Sequence, residues 1–369
     1  IGKVHPKPTA NQLMPNTDLS DGILYVQQAG LFASEECTCI WERMTDRFPW
    51  EFGYIVDQER RETGFAVVRG RVDRASYLEF LRYLARDYRI MAITSQGVFP
   101  MIGDGPGNLP DHAGPQEGRH EDYVDKVEGW AHCFRDPDAF LPAGKPRLRF
   151  SNSDNLEPDR LWRIANRPGP LEKRWDFVYS CMPDRSNFIR KNWAMAKRCA
   201  LRFAEDLGLR GLLVGVAEVN DAPRHPLIDL RPPMRWREFL RALGESRVGF
   251  FPNTWDPSPR VIAEAMCLDV PILVNHDILG GWQYVAPESG RFFRTEDDAL
   301  DAMTEVLAGS FSPRDWYCSN YGRSNAGRRL AAFIGEIAGS ERFSDVEIAY
   351  FYSPRDYDSI PPRPRRHPN

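Results

Sequence analysis

Residues 248–282 constrain the fold most, because they read as strand, loop, helix, strand and glycine loop without a break. Val248, Gly249, Phe250 and Phe251 form a short apolar run, enough for a buried strand. Ser258 is placed to cap a helix, and Pro259 suits a first helical position, where its missing N–H is no loss. Val261, Ile262, Ala265, Met266 and Leu268 keep an apolar stripe at helical spacing, and Asp269 and Pro271 stop it. Pro271 to Asn275 predicts a second buried strand, and Gly280-Gly281 lets the backbone approach something closely. A strand feeding a helix that returns to a strand is the building unit of an open α/β sheet.

The spacing of two acids inside this unit suggests chemistry. Asp256 lies in the loop before the helix and Glu264 about one and a half turns inside it. Between them the first N–H groups of the helix form an anion site. A carboxylate just past that site can accept hydrogen bonds from two vicinal ribose hydroxyls. One loop and helix can therefore hold the diphosphate and ribose of a nucleotide. An ordinary βα unit with a solvated Glu carries the same pattern.

With Asp256, seven residues, Glu264-Ala265-Met266, an apolar strand ending at Asn275 and then Gly280-Gly281, the stretch resembles the donor-site signature of retaining GT-B glycosyltransferases of glycosyltransferase family 4. It departs from the commoner form, which has Glu first and a Phe-Gly pair after it; here Pro257-Ser258-Pro259-Arg260 follows the Asp. That variant is similar to a branch seen in algal and large-virus glycosyltransferases. The resemblance implies two Rossmann-like domains facing across a cleft. It also implies transfer of a hexose from a GDP- or UDP-linked sugar to a glycan or glycoprotein hydroxyl, with no further cofactor and no metal. The leaving diphosphate would take the acceptor's proton on the same face.

Composition narrows the alternatives. The chain has 369 residues, enough for two domains, with 42% hydrophobic and 27% charged residues. A net charge of −4 gives no electrostatic footprint for nucleic acid. Every apolar run is far shorter than the roughly 20 residues of a membrane helix. The seven cysteines are odd in number and include no C-x-x-C pair, which favours buried free thiols and a reducing, cytoplasmic setting. The first residue is Ile, so the reading is of a trimmed chain with room for a leader or anchor ahead of it. Homodimerisation is left open.

Along the chain, residues 1–20 read as an extended arm, Gly22 to Gln27 as the first strand with a turn at Gly30, and Ser34 as the start of a helix. Phe52 to Val56, Phe65 to Val68, Arg89 to Thr94 and Pro146 to Ser151 are strand candidates, and Tyr77 to Tyr88 a helix. The loop 103–107 (Gly-Asp-Gly-Pro-Gly) lacks the strand and helix a dinucleotide loop needs. Pro168-Gly169-Pro170 is the best linker signal. It divides an acceptor domain (1–168) from a donor domain (169–345), with a tail (346–369) packing back on the first. In the second part, strands are expected at Trp175 to Cys181, Leu209 to Val216 and Phe292-Phe293. Helices are expected from Phe188 to about Leu207, capped by Ser186-Asn187, and at Trp236 to Leu243, Asp297 to Leu307 and about Asn325 to Ala338.

The resemblance also places an Arg and a Lys on the donor diphosphate at the turn after the first strand of the second domain; Arg185 and Lys191 fit. A helix face with solvated cations is the plainer alternative. His132 matches, by order along the chain, a histidine that approaches the donor sugar, against the alternative of a satisfied core histidine. Lys191, His132 and Asp256 are the catalytic candidates. Gly30, Arg185, Lys191, Ser258, Arg260, Glu264, Asn275, Gly280 and Gly281 are the donor-binding ones. Asp136-Pro137-Asp138 and Asp356-Tyr357-Asp358 have the D-x-D form of metal-dependent transferases, a form frequent by chance. A sugar-nucleotide epimerase, a phosphorylase and a non-catalytic nucleotide-sugar or glycan-binding module share this fold.

Overall fold

A computed structural model describes residues 52–69, 81–94, 126–351 and 365–366, apart from positions 83, 142, 341 and 342. The expected first strand at Gly22 to Gln27, the turn at Gly30, the helix from Ser34 and the 103–107 loop lie outside the described residues.

The first sheet contains β1 (Phe52–Asp57), β2 (Arg61–Arg69), β3 (Arg89–Ile93), β4 (Val127–His132) and β5 (Arg147–Arg149). From the chain's end come β12 (Val346–Phe351) and the short β13 (Arg365–Arg366). Its order is β12-β1-β2-β3-β4-β5, with β13 also paired to β2. From β2 to β5 the strands are parallel, whereas β1 runs antiparallel to both β2 and β12. The strands at 52 and 65 thus form a hairpin, not successive βα units. The turn between them is too short for a crossover: Asp57 accepts hydrogen bonds from the Glu59 and Arg61 N–H groups at 2.9 and 2.8 Å. One face of this sheet packs Tyr54, Val68 and Ile90 against Leu81 and Leu84. The other packs Val67, Met91 and Ala131 against Leu330, Phe333 and Ile334 of the helix Arg323–Ala338.

The second sheet is wholly parallel and six-stranded, in the order β11-β10-β9-β6-β7-β8. Its strands are β6 (Trp175–Ser180), β7 (Gly211–Val214), β8 (Ile228–Arg231), β9 (Ser246–Phe251), β10 (Ile272–Asn275) and β11 (Gly290–Phe293). The chain builds outward from β6 in one direction, then restarts at β9 and builds the other way. This is the doubly wound pattern, with its switch between β6 and β9. Strand neighbours bury opposite faces: Phe177, Tyr179 and Phe250 pack on the helices Trp193–Glu205 and Glu296–Ala308. Val178, Phe251 and Val274 pack with the helices Pro158–Asn166, Trp236–Gly244 and Arg260–Cys267.

The chain crosses between the cores twice. Phe150 belongs to the first core and Leu156 already to the second. On the return, Tyr321 is in the second core and Ala326 in the first. The crossings touch, because the Gly322 N–H donates to the Asp154 carbonyl at 2.9 Å. The Asp154 side chain accepts from the Tyr284 hydroxyl at 2.5 Å and faces Arg329 at 3.4 Å.

One expected helix is broken. In place of a run from Phe188 to Leu207 there is a short helix, Arg185–Arg190, then Asn192 in the left-handed region at φ 50°, then Trp193–Glu205. The first helix is capped by Asp184, whose side chain accepts from the Asn187 N–H, not by Ser186 or Asn187. Asn192 tolerates the left-handed turn and caps the second helix with its side chain on the Met195 N–H.

Candidate active site

In a doubly wound sheet, ligands bind outside the strand C-termini at the switch point. Lys191 and Asp256 lie there. Lys191 ends the helix after β6, where the break at Asn192 turns the backbone, and Asp256 lies in the loop after β9. The Lys191 Nζ donates to Asp256 Oδ2 at 2.5 Å, and the Asn253 side-chain amide donates to the same oxygen at 3.0 Å. Both charged side chains are largely buried, with 19% and 13% exposed, so water screens the pair weakly. Asn253 was missed by sequence reasoning; its only signal was a polar residue two positions past a buried strand.

The helix Arg260–Cys267 opens at Pro259 with no side-chain cap. The expectation that Ser258 caps it is corrected. Its hydroxyl instead meets those of Ser151 and Ser153 at 2.5 and 3.0 Å, in the outgoing crossing. The 256–259 loop is therefore tied to the segment that joins the two cores. Glu264 is buried, 4% exposed, and its Oε1 accepts from the Trp236 indole N–H at 2.9 Å. The Arg260 Nε approaches the same oxygen at 3.1 Å, and the Arg260 guanidinium lies over the Trp236 ring. Arg185 is exposed at the start of its short helix.

The glycine loop after β10 approaches its own neighbour. A Cβ on Gly280 would sit 1.9 Å from the Pro257 carbonyl oxygen. Gly281, at φ 85°, would push a Cβ to 2.5 Å from the Pro259 ring. The Gly280 N–H donates to the Asp256 carbonyl at 3.0 Å and the Gly281 N–H to Gln283 at 2.9 Å. These contacts hold the 256–259 loop in shape. Asn275 is buried, its side-chain oxygen accepting from the Asp277 N–H at 2.9 Å and its amide donating to the Pro252 carbonyl at 3.3 Å.

His132 ends β4 in the first sheet and is 6% exposed. Burial first, then the charges of Arg147 and Arg149, bring its pKa down to about 4, so the imidazole is neutral at pH 7. Its Nδ1 is enclosed with no hydrogen-bond partner among the described residues. The residues that follow meet the second sheet: the Trp282 indole N–H donates to the Cys133 carbonyl at 3.0 Å. Arg135 reaches the His276 ring at 2.8 Å and its carbonyl at 3.1 Å. Arg135 and Arg149 both stack on the Trp282 ring. The C-terminal ends of β4 and β10 therefore face one another. Beside them, burial pushes the Cys133 thiol up to about 12, so it is no nucleophile at neutral pH.

The D-x-D pair at 136 and 138 has structural work. The Asp136 side chain caps the turn at Asp138, and Asp138 pairs with Arg147 at 2.5 Å. Among the described residues no cluster of His, Cys, Asp or Glu is arranged to hold a metal ion, and no helix is long and apolar enough to cross a membrane. Cys133, Cys181, Cys199 and Cys267 are buried free thiols, and Cys318 is an exposed one.

No protein-family model matches the sequence, and no curated protein matches it. Solved structures do. A trehalose-6-phosphate synthase is similar at TM-score 0.51 and 11% identity, over 74% of this chain and 71% of that one. The E. coli trehalose-6-phosphate structure bound with UDP-2-fluoro glucose is similar at TM-score 0.51 and 11% identity, over 76% and 73%. The UDP-forming alpha,alpha-trehalose-phosphate synthase from Burkholderia xenovorans in complex with glucose-6-phosphate is similar at 0.51 and 12%, over 74% and 73%. The fold is that of the GT-B glycosyltransferases, two Rossmann-like domains. At this identity the likeness is one of fold; it does not carry the assignment to family 4, which rests on the 256–281 stretch.

Proposed function

We propose that this chain is a retaining glycosyltransferase that moves a hexose from a nucleotide diphosphate sugar to an acceptor hydroxyl. The observation that carries the reading is the meeting of Lys191 and Asp256 at 2.5 Å at the switch point, beside an uncapped helix N-terminus with buried Glu264 inside it. The bond from the sugar C1 to the diphosphate oxygen breaks as the acceptor oxygen bonds to C1; negative charge grows on the leaving oxygen, which takes the acceptor's proton. Lys191 would exchange Asp256 for the phosphate and stabilise this charge, and the helix N-terminus would add its dipole. Glu264 would hold the ribose, and the neutral His132 would meet the sugar from the first sheet. On this reading the β1–β5 side is the acceptor half and the β6–β11 side the donor half.

The solved structures holding UDP-2-fluoro glucose and glucose-6-phosphate support a UDP-linked donor over a GDP-linked one, and add a sugar phosphate to the acceptors worth testing. The 256–281 stretch supports a place near family 4 within this class, and the fold likeness supports the class alone.

Calorimetry with UDP, GDP and their sugars tests the reading. One nucleoside diphosphate should bind, and Glu264→Ala should weaken it by about 1.5–3 kcal/mol, the range for losing hydrogen bonds to a charged group. Unchanged affinity in a folded variant removes Glu264 from the site, and binding of none of these ligands overturns the function. Turnover of the bound sugar nucleotide separates an enzyme from a binding module.

A further inference from the structure

We infer that Trp236 is a positioning residue for the ribose-binding carboxylate, a role that rests on the reading of Glu264 given above. Glu264 is buried, and its two oxygens are treated differently. Oε1 takes the Trp236 indole N–H at 2.9 Å and faces the Arg260 Nε at 3.1 Å. Oε2 has no hydrogen-bond partner among the described residues. A carboxylate with one oxygen pinned cannot rotate freely about its terminal torsion, a broad and nearly two-fold one when unrestrained. The pinned oxygen fixes where the other points, and that second oxygen is the one left to accept from a ligand hydroxyl.

The anchor is rigid for a reason visible in the chain. Trp236 is the first residue of the helix Trp236–Gly244, whose Leu240 and Leu243 are buried in the second core. The entry to that helix is held by Arg235 and Glu238, the Glu238 side chain accepting from the Arg235 N–H. The Arg260 guanidinium lies over the indole, 5.7 Å from its centroid. Arg260 thereby braces the ring and the carboxylate together. The donor helix and the 236–244 helix are joined through one indole N–H, and orientation of Glu264 depends on it.

The role separates from simple packing because it acts on ribose hydroxyls alone. The experiment measures the affinity of UDP and of 2′,3′-dideoxy-UDP (and the GDP pair if GDP is the nucleotide that binds) in wild type and in Trp236→Phe. Phe keeps an aromatic ring but donates no hydrogen bond. Wild type should prefer the ribonucleotide, and Trp236→Phe should reduce that preference by roughly tenfold, the scale of one hydrogen bond to a charged group. Affinity for the dideoxy form should change less than about twofold, on the same reasoning. Should Trp236→Phe not fold, benzothienylalanine at 236, which replaces the N–H with sulfur in a ring of the same shape, gives the same test. Loss of affinity for both ligands in equal proportion, or a preference equal to wild type, overturns the inference while leaving the nucleotide site intact. A wild-type protein that binds UDP and GDP but ignores the ribose hydroxyls removes the ribose role of Glu264, and this inference with it.

Discussion

The two sides of the candidate site hold their polar groups in opposite ways. On the second sheet every candidate charge with a described contact is already engaged: Lys191 with Asp256, and Glu264 with Trp236 and Arg260. On the first sheet His132 is buried, neutral and without a partner at Nδ1 among the described residues. A paired charge stays soluble in a half-buried place only because its partner offsets the loss of water. It can bind a diphosphate by turning from that partner to the ligand, so the cation need not be left unpaired as the ligand enters. A neutral imidazole needs no counter-ion and has none to displace. The side that would hold the anion is built from exchangeable pairs, and the side that would meet an uncharged sugar is built from a dipole.

Removing Lys191 strains this contrast most. Lys191→Ala should lower the rate of sugar transfer by roughly 10²-fold or more, the scale for losing one electrostatic group at a developing charge, while donor affinity falls less. Steady-state kinetics that show an affinity loss with an unchanged rate would confine Lys191 to ground-state binding.

On the first sheet the test is stability against pH. The His132 pKa is lowered from 6.5 to about 4 by burial first and then by Arg147 and Arg149. Between these values the unfolded chain takes up a proton that the folded chain refuses. Stability contributed by the neutral, buried ring is full above pH 6.5 and is lost as pH falls towards 4. The contribution is on the order of 3 kcal/mol across that window. Denaturant midpoints measured along it should slope in the wild type and flatten in His132→Gln. An identical slope in both would show that the ring charges without cost.

Ser258→Ala gives the smallest effect and tests the tie between the sides. It removes the contacts to Ser151 and Ser153 and should cost about 0.5–1.5 kcal/mol, the net of a typical hydrogen bond. Thermal unfolding measures it. The transfer rate should drop only slightly, since the serine holds the loop and not the ligand. A large drop in rate with an unchanged melting point would return Ser258 to direct contact with the donor.

The parallel half was the more legible in sequence. Val248 to Asn275 carries its strand–helix–strand reading because both strands are short apolar runs and Pro259, Asp269 and Pro271 punctuate the helix. The hairpin at 52–69 could not be told from separate strands, since direction leaves no trace in an apolar pattern. The break at Asn192 was hidden because residues on both sides favour helix and only the backbone sign at that residue ends it. Helices Pro158–Asn166 and Pro313–Asn320 were not foreseen, each being short and rich in charge or aromatic residues. At the site, Lys191 and Asp256 meet after β6 and β9, a contact across 65 positions that neither spacing nor the resemblance contained, while Glu264 lies on the helix that follows Asp256. Trp236 gave no sign, because its bond to Glu264 spans 28 positions and needs the fold to form.

The double crossing near Asp154 has a consequence for how such a molecule can be taken apart. The chain leaves the first core at Phe150 and re-enters it at Ala326, then supplies Arg323–Ala338 and the edge strand Val346–Phe351. The second half is therefore nested inside the first like an inserted passage, with both joints touching through Gly322 and Asp154. A fragment ending near residue 157 lacks the helix that covers one face of its sheet, whereas the nested part keeps all six of its parallel strands. Replacing the nested part with another takes two splices, side by side in space and far apart in the gene.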